Sequence, residues 1–283
     1  MINKNEGNNI FVYVDPFGIK NINFSYFEKL NSSSLNSAEF LMNLNSFGFI
    51  REGCRLLKAD LHDVQVDEEF EEFMDENQEF KKTNTIEHMN SIAGGDYWQE
   101  IIQEHRDGKI NGYEAEKRFV ELYCTKMKEF GKFKYVINIP IRTKAGSPPK
   151  YRMVYATNHA DGVILMNDNM CKRFDELLNI QTGGSGSLFQ ENSENEIIDF
   201  NKVQSNLLSL LDTKYINYFD LIATYIDHFG IIKTKYLNEQ LRSLESKRKI
   251  IIKRIPPTTP TGKASKFLSP GKNQKTLIRL DVS

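Results

Sequence analysis

From Asn9 to Val14 the chain reads NIFVYV, five apolar residues in succession after a single polar one, and the run stops abruptly at Asp15-Pro16-Phe17-Gly18. With no polar alternation, it predicts a strand buried on both faces, as in a parallel sheet. A helix is expected over Phe24–Leu30 and a second strand over Glu39–Asn45. Strand, helix, strand is the order of an α/β unit.

Residues 50–130 change to helical periodicity. Tyr97–Glu104 and Tyr113–Glu129 carry apolar positions three and four apart, split by a turn at Asp107-Gly108. This segment, about 52–130, is expected as a helical insertion between sheet strands, forming a cap that faces substrate or partner. Two long strands follow, Phe133–Arg142 and Tyr151–Thr157, and the link Ala145–Pro149 (AGSPP) predicts antiparallel neighbours. A helix over Gly162–Leu178 is expected to close a domain spanning 1–180. The TGGSGS run at Thr182–Ser187 has linker composition, which places a linker over 181–196.

Beyond it, residues 197–283 predict helices over Asp199–Leu211, Tyr215–Phe229 and Thr234–Lys247, with Gly230 as a stop. A strand over Ile250–Ile255, a long Pro/Thr/Gly/Lys loop and a strand over Thr276–Val282 complete the module. Helices, strand, basic loop, strand is a winged-helix-like order, although Thr234–Lys247 is short if it must supply both the second and third helices of that fold. The fold class expected is therefore α/β: a partial Rossmann-like, methyltransferase-type sheet with a helical insertion, plus a C-terminal winged-helix-like basic module.

Charge sharpens this division. The net charge is −1, yet residues 231–283 hold 13 Lys and Arg against Glu239, Glu245 and Asp281, a balance of +10. The remainder balances at −11, and positions 60–80 hold ten carboxylates with no Lys or Arg. A basic tail on an acidic body suits a polyanionic partner; a solvated surface that keeps the protein soluble is the plainer reading. Lys247, Arg248, Lys249, Lys253 and Arg254 cluster where the last helix meets the first wing strand, and Lys263, Lys266, Lys272 and Lys275 lie on the wing. They are candidate phosphate contacts, with DNA favoured over RNA. An acidic protein face competes for the same residues, and the chain's own Asp60–Glu79 segment could be that face.

Other classes are not supported. No apolar run reaches the roughly 20 residues of a membrane span and no signal peptide opens the chain. Cys54, Cys124 and Cys171 are scattered and the five histidines lack ligand spacing, so neither disulfides nor a metal is expected. A cytoplasmic protein is the default.

In open α/β sheets the functional side chains gather at the carboxyl ends of strands. Asp15, Pro16 and Phe17 leave the first strand there. An acidic side chain can accept from an exocyclic amine, and an aromatic ring can stack on an extruded base. A lone Asp-Pro after a strand also arises from turn chemistry alone. Gly18, Asn43, Arg51, Asn158 and His159 are further candidates for the same edge, although Asn158–Gly162 reads as a turn before it reads as catalysis.

Four motifs together resemble a known family: FVYVDPFG (Phe11–Gly18), LMNLNSFGFIR (Leu41–Arg51), GGDYW (Gly94–Trp98) and YRMVYATNHADGVILM (Tyr151–Met166). In these the chain resembles the bacterial three-Cys-motif partner proteins, which look methyltransferase-like and accompany mobile or restriction-type genes. The resemblance covers about Asn9–Leu178 and implies a preceding half with a glycine-rich cofactor turn, which has no counterpart before Asn9. The chain is thus expected to enter the fold at its fourth strand and to bind no cofactor alone. S-adenosylmethionine would enter only with a partner chain that covers the exposed sheet edge. A non-catalytic nucleic-acid-binding or docking scaffold is the alternative.

Overall fold

The computed structural model describes residues 8–15, 23–31, 35–59, 85–142, 149, 151–181 and 198–282, of which 31 and 177–181 are described by backbone alone. Pro16, Phe17, Gly18, the acidic stretch 60–80 and the linker beyond Gln181 lie outside them. The chain divides into two compact units, Met1–Asn158 and His159–Ser283.

In the first unit the described elements are β1 (Asn9–Val14), α1 (Ser25–Asn31), β2 (Ser37–Leu44), α2 (Ser46–Leu57), α3 (Ile86–Ala93), α4 (Trp98–Arg106), α5 (Gly112–Glu129), β3 (Tyr135–Ile141) and β4 (Tyr151–Thr157). The sheet order is β1-β2-β4-β3. β1 runs parallel to β2, and β4 is antiparallel to both its neighbours, so β3 runs the same way as β1 and β2. β4, last in sequence, thus sits inside the sheet.

One face of β2 (Ala38, Phe40, Met42 and Leu44) is buried with Val136, Val154 and Ala156. Aromatic edges lock the layer above it: Phe27, Phe40 and Phe133 meet in succession at centroid separations of 5.3 Å. Phe49 of α2 stacks on Phe119 of α5 at 4.2 Å. Met89, Ile92, Trp98, Ile101 and Phe119 belong to the same core, so α3, α4 and α5 of the expected insertion form part of the domain's helical layer. α5 starts with a capping box between Asn111 and Glu114. The GGDYW motif has a packing explanation: Gly94 ends α3 at φ 72°, where an added Cβ would meet the Phe24 ring at 2.6 Å, and Trp98 donates to Asn90 Oδ1 at 2.8 Å.

β1 departs from expectation. It is an edge strand, with Val12 and Val14 turned to the core but Phe11 and Tyr13 exposed at 54% and 56%. An apolar run identifies a strand without saying whether both of its faces are covered.

The second unit comprises α6 (Ala160–Gln181), α7 (Phe200–Ser209), β5 (Ile216–Asn217), α8 (Tyr218–Phe229), α9 (Thr234–Ser246), β6 (Ile250–Ile255) and β7 (Lys275–Leu280). Its antiparallel sheet has the order β5-β7-β6. Leu221, Ile222, Leu237, Leu241, Leu244, Ile250 and Ile278 are buried. β5 precedes α8, and Gly230 at φ 96° separates α8 from α9. α8 and α9 are therefore distinct helices, as the sequence predicts, and Thr234–Ser246 is a single helix.

The helix expected to close the first domain is α6, which belongs to the second compact unit, beginning at His159; the expected linker lies, beyond Gln181, outside the described residues. Polar contacts hold α6 in that unit. Asn167 donates to the Ile232 carbonyl at 2.8 Å and accepts from the Ile232 amide at 3.1 Å. Asp168 accepts from the Thr234 amide at 2.9 Å, capping α9, whose own cap residue Lys233 contributes no side-chain bond.

Candidate functional site

β1 and β2 end side by side, and their parallel direction brings Asp15 and Asn43 together. Asn43 Nδ2 donates to Asp15 Oδ1 at 3.2 Å. Asp15 is exposed, and Asn43 is half-buried opposite Met153 of β4. Tyr151 begins β4 two residues earlier, on the same sheet face. Burial, and then the nearby Asp15 charge, raise the Tyr151 phenol above its ordinary pKa. Arg51 is half-buried on α2, which opens directly from this edge. The structure thus joins Asp15 and Asn43 and adds Tyr151, which sequence reasoning missed.

A buried polar network lies on the core face of the same edge. Glu116 of α5, 1% exposed, receives both Nε and Nη2 of Arg152 at 2.8 and 2.7 Å and Ser46 Oγ at 2.5 Å. Arg152 also donates to Asn138 at 3.2 Å. One carboxylate thereby ties the first turn of α2 to α5, β3 and β4. The signal was present in sequence: Glu116 interrupts the buried run of α5 and Arg152 the apolar YRMVYAT. A charge on an apolar face requires a partner.

Asn158 and His159 do not join the site. β4 runs antiparallel to β1 and β2, so its carboxyl end lies at the opposite edge of the sheet from Asp15. There Asn158 Oδ1 accepts from the Lys134 amide at 2.8 Å, and the His159 carbonyl accepts from Val163 at 3.3 Å as α6 begins. Strand carboxyl ends share one edge only where all strands run the same way, and this sheet is mixed.

β2 leads into Asn45-Ser46-Phe47-Gly48, the one described turn from strand to helix with a glycine at this edge. That turn is closed: Asn45 caps α2 by accepting from the Gly48 amide at 2.9 Å, and a Cβ at Gly48 would meet Asn45 Oδ1 at 2.5 Å. No group of three or more His, Cys, Asp or Glu among the described residues could hold a metal ion.

In the second unit, Lys247, Arg248 and Lys249 are exposed in the turn between α9 and β6. Lys253, Lys263, Lys266, Lys272 and Lys275 are exposed along β6, the following loop and the start of β7. A tight turn displays Lys263: its carbonyl accepts from the Thr259 amide at 2.7 Å, with Gly262 at φ 77°. Arg254 is the exception among the expected contacts. Its side chain is 13% exposed and engaged with Glu245, so it serves the fold. From Ser246 to Leu280 the chain has ten Lys and Arg and no Asp or Glu.

Comparison of the chain with family models, with curated proteins and with solved structures yields no match. No helix among the described residues is long and apolar enough to cross a membrane.

Proposed function

We propose that this chain is the nucleic-acid-binding subunit of a methyltransferase-related bacterial modification or defence system, acting on DNA in the cytoplasm with a partner chain that covers β1. The observation that carries the nucleic-acid reading is the acid-free stretch from Ser246 to Leu280, with its exposed lysines spread over a turn, a strand and a loop. Cations in that number give sequence-independent affinity for phosphate and make it salt dependent. Two further features support the reading. The order α7-β5-α8-α9-β6-loop-β7, with strand order β5-β7-β6, suits a winged helix. A reversed strand seated between two strands of the opposite direction suits the distal half of a methyltransferase-type sheet, in keeping with the resemblance in its motifs.

The partner follows from β1. A six-residue edge strand without charge or proline, showing Phe11 and Tyr13 to solvent, lacks the usual protections of a free edge. The partner is assigned S-adenosylmethionine binding, and Asp15 becomes the acceptor for an exocyclic amine of the target. One observation favours the non-catalytic scaffold instead: the Asp15 carboxylate is already engaged by Asn43.

The test is equilibrium binding of the purified chain to labelled duplex DNA between about 50 and 200 mM salt. Steep weakening with salt, without dependence on sequence, is expected; no binding at the lowest salt overturns the reading. Isolation from the native host with whatever co-purifies, followed by an S-adenosylmethionine binding assay, tests the partner.

A further inference from the structure

The face of the second unit's sheet opposite its buried one carries an arrangement that goes beyond what duplex binding requires. Pairing of Ile251 with Arg279, Lys253 with Leu277 and Ile255 with Lys275 puts these six side chains on one face. The alternate set, Ile250, Ile252, Thr276 and Ile278, is buried on the other. On the outer face Arg279, Lys253 and Lys275 alternate with the apolar residues. Tyr215 closes the row, 43% exposed, with the Arg279 guanidinium 5.3 Å from its ring centroid. None of these outward positions on the three strands is acidic.

We infer that this face is a binding surface for single-stranded nucleic acid, an inference that rests on the nucleic-acid reading of the same unit. Charge and shape select the ligand. The three cations advance two residues at a time along the strand direction, about 7 Å per step. That is a stride suited to successive phosphates of an extended strand. The surface between them is apolar, and its burial is favourable only if the ligand brings apolar area of its own. A duplex meets a flat sheet with phosphate and sugar, its bases turned inward; a single strand can lay bases on Ile251, Leu277 and Tyr215 while its phosphates meet the cations. An acidic peptide offers the charge without the stacking surface.

The experiment compares the full chain with two variants, Lys253→Glu/Lys275→Glu on the sheet face and Lys263→Glu/Lys266→Glu on the loop. Each is titrated with an oligothymidine, a duplex of random sequence and a poly-glutamate peptide, and circular dichroism checks the fold. The sheet variant is expected to lose oligothymidine affinity at least tenfold and to lose duplex affinity by a clearly smaller factor, the loop variant showing the reverse order. Its salt slope for oligothymidine should fall by about 1.4, from two phosphate contacts at about 0.7 each. Tyr215→Ala, which removes no charge, should weaken oligothymidine alone. Oligothymidine binding unchanged in the sheet variant and in Tyr215→Ala overturns the inference and leaves the duplex reading standing. Equal losses for both nucleic acids overturn it by making the two surfaces one, and tighter binding of the peptide than of oligothymidine assigns the face to protein. A wild-type chain that binds neither nucleic acid removes both readings together.

Discussion

Arg254 and Glu245 meet in a two-pronged ion pair, Nη1 to Oε1 at 2.7 Å and Nη2 to Oε2 at 2.8 Å, while Arg254 Nε donates to the Phe267 carbonyl at 2.8 Å. One guanidinium thus fastens the end of α9, strand β6 and the basic loop to one another. Arg254→Ala should lower stability by about 2 kcal/mol, the scale of hydrogen bonds to a charged group. Arg254→Lys should recover little of it, because an ammonium cannot reproduce the planar fork. Urea denaturation decides this, and a lysine variant of wild-type stability would refute the clamp.

Lys263 and Lys266 contrast with Arg254, since both are exposed. Lys263→Glu/Lys266→Glu should weaken duplex binding on every sequence alike and flatten its salt dependence, with the urea midpoint unmoved. Unchanged affinity at low salt would remove the loop from the interface.

Glu116 is buried against Arg152, so replacing one partner alone strands a charge. Glu116→Gln should destabilise the protein by about 3–5 kcal/mol, whereas Glu116→Leu combined with Arg152→Met should cost less than the single change. Thermal and urea unfolding of wild type, Glu116→Leu, Arg152→Met and their combination measure the coupling, and additive losses would show that the pair is not coupled.

Burial holds the phenols of Tyr97, Tyr123 and Tyr155 protonated well above the ordinary range, and pushes the Cys171 thiol up to about 11. The folded-state pKa values exceed the unfolded ones, about 8.5 for Cys and 10 for Tyr. The resulting stabilisation is fully present below those values and is lost as pH rises from them toward the folded values. Stability should therefore be flat in these groups at pH 7–8 and fall from about pH 9 upward. Tyr123→Phe, which retains the ring, should make the fall above pH 10 shallower. Urea midpoints across that range provide the check, and an identical alkaline slope in both proteins would exclude Tyr123 as a contributor.

Asp15→Ala separates the two functional readings. In a native complex it should abolish base modification and leave nucleic-acid affinity intact, as scored by methyl incorporation beside a binding isotherm. Full modification by the variant would leave Asp15 without a catalytic part. The same change removes a nearby negative charge from Tyr151, whose pKa should drop toward 10 yet stay above it, because burial remains.

Much of the secondary structure was legible. NIFVYV and YRMVYAT became β1 and β4 at the expected residues, since unbroken apolar runs between turn formers have few alternatives. The tertiary relations were not. Nothing within the chain's first fifteen residues says that β1 is an edge, and nothing local says that β4 enters between β2 and β3. Misplacing Asn158 and His159 followed from that missing strand direction. The structural role of Arg254 was accessible: alternation along β6 sets Ile250, Ile252 and Arg254 on the inward side and Lys253 on the outward one, so the adjacent cations could not share a role. Asp15 and Asn43 were both identified, but their contact depends on the parallel register, Val14 beside Met42.

The interior position of β4 also governs when the first unit can form. β2 obtains its second neighbour only when Tyr151–Thr157 has been made, and Thr157 follows Leu44 by 113 positions. At ribosomal speed that is a wait on the order of ten seconds. Through it α2 to α5 must assemble beside a two-stranded fragment whose hydrogen-bonding edges are both open. Unpaired edges of this kind are prone to aggregation, so the yield of folded protein should respond to elongation rate and chaperone supply as well as to equilibrium stability.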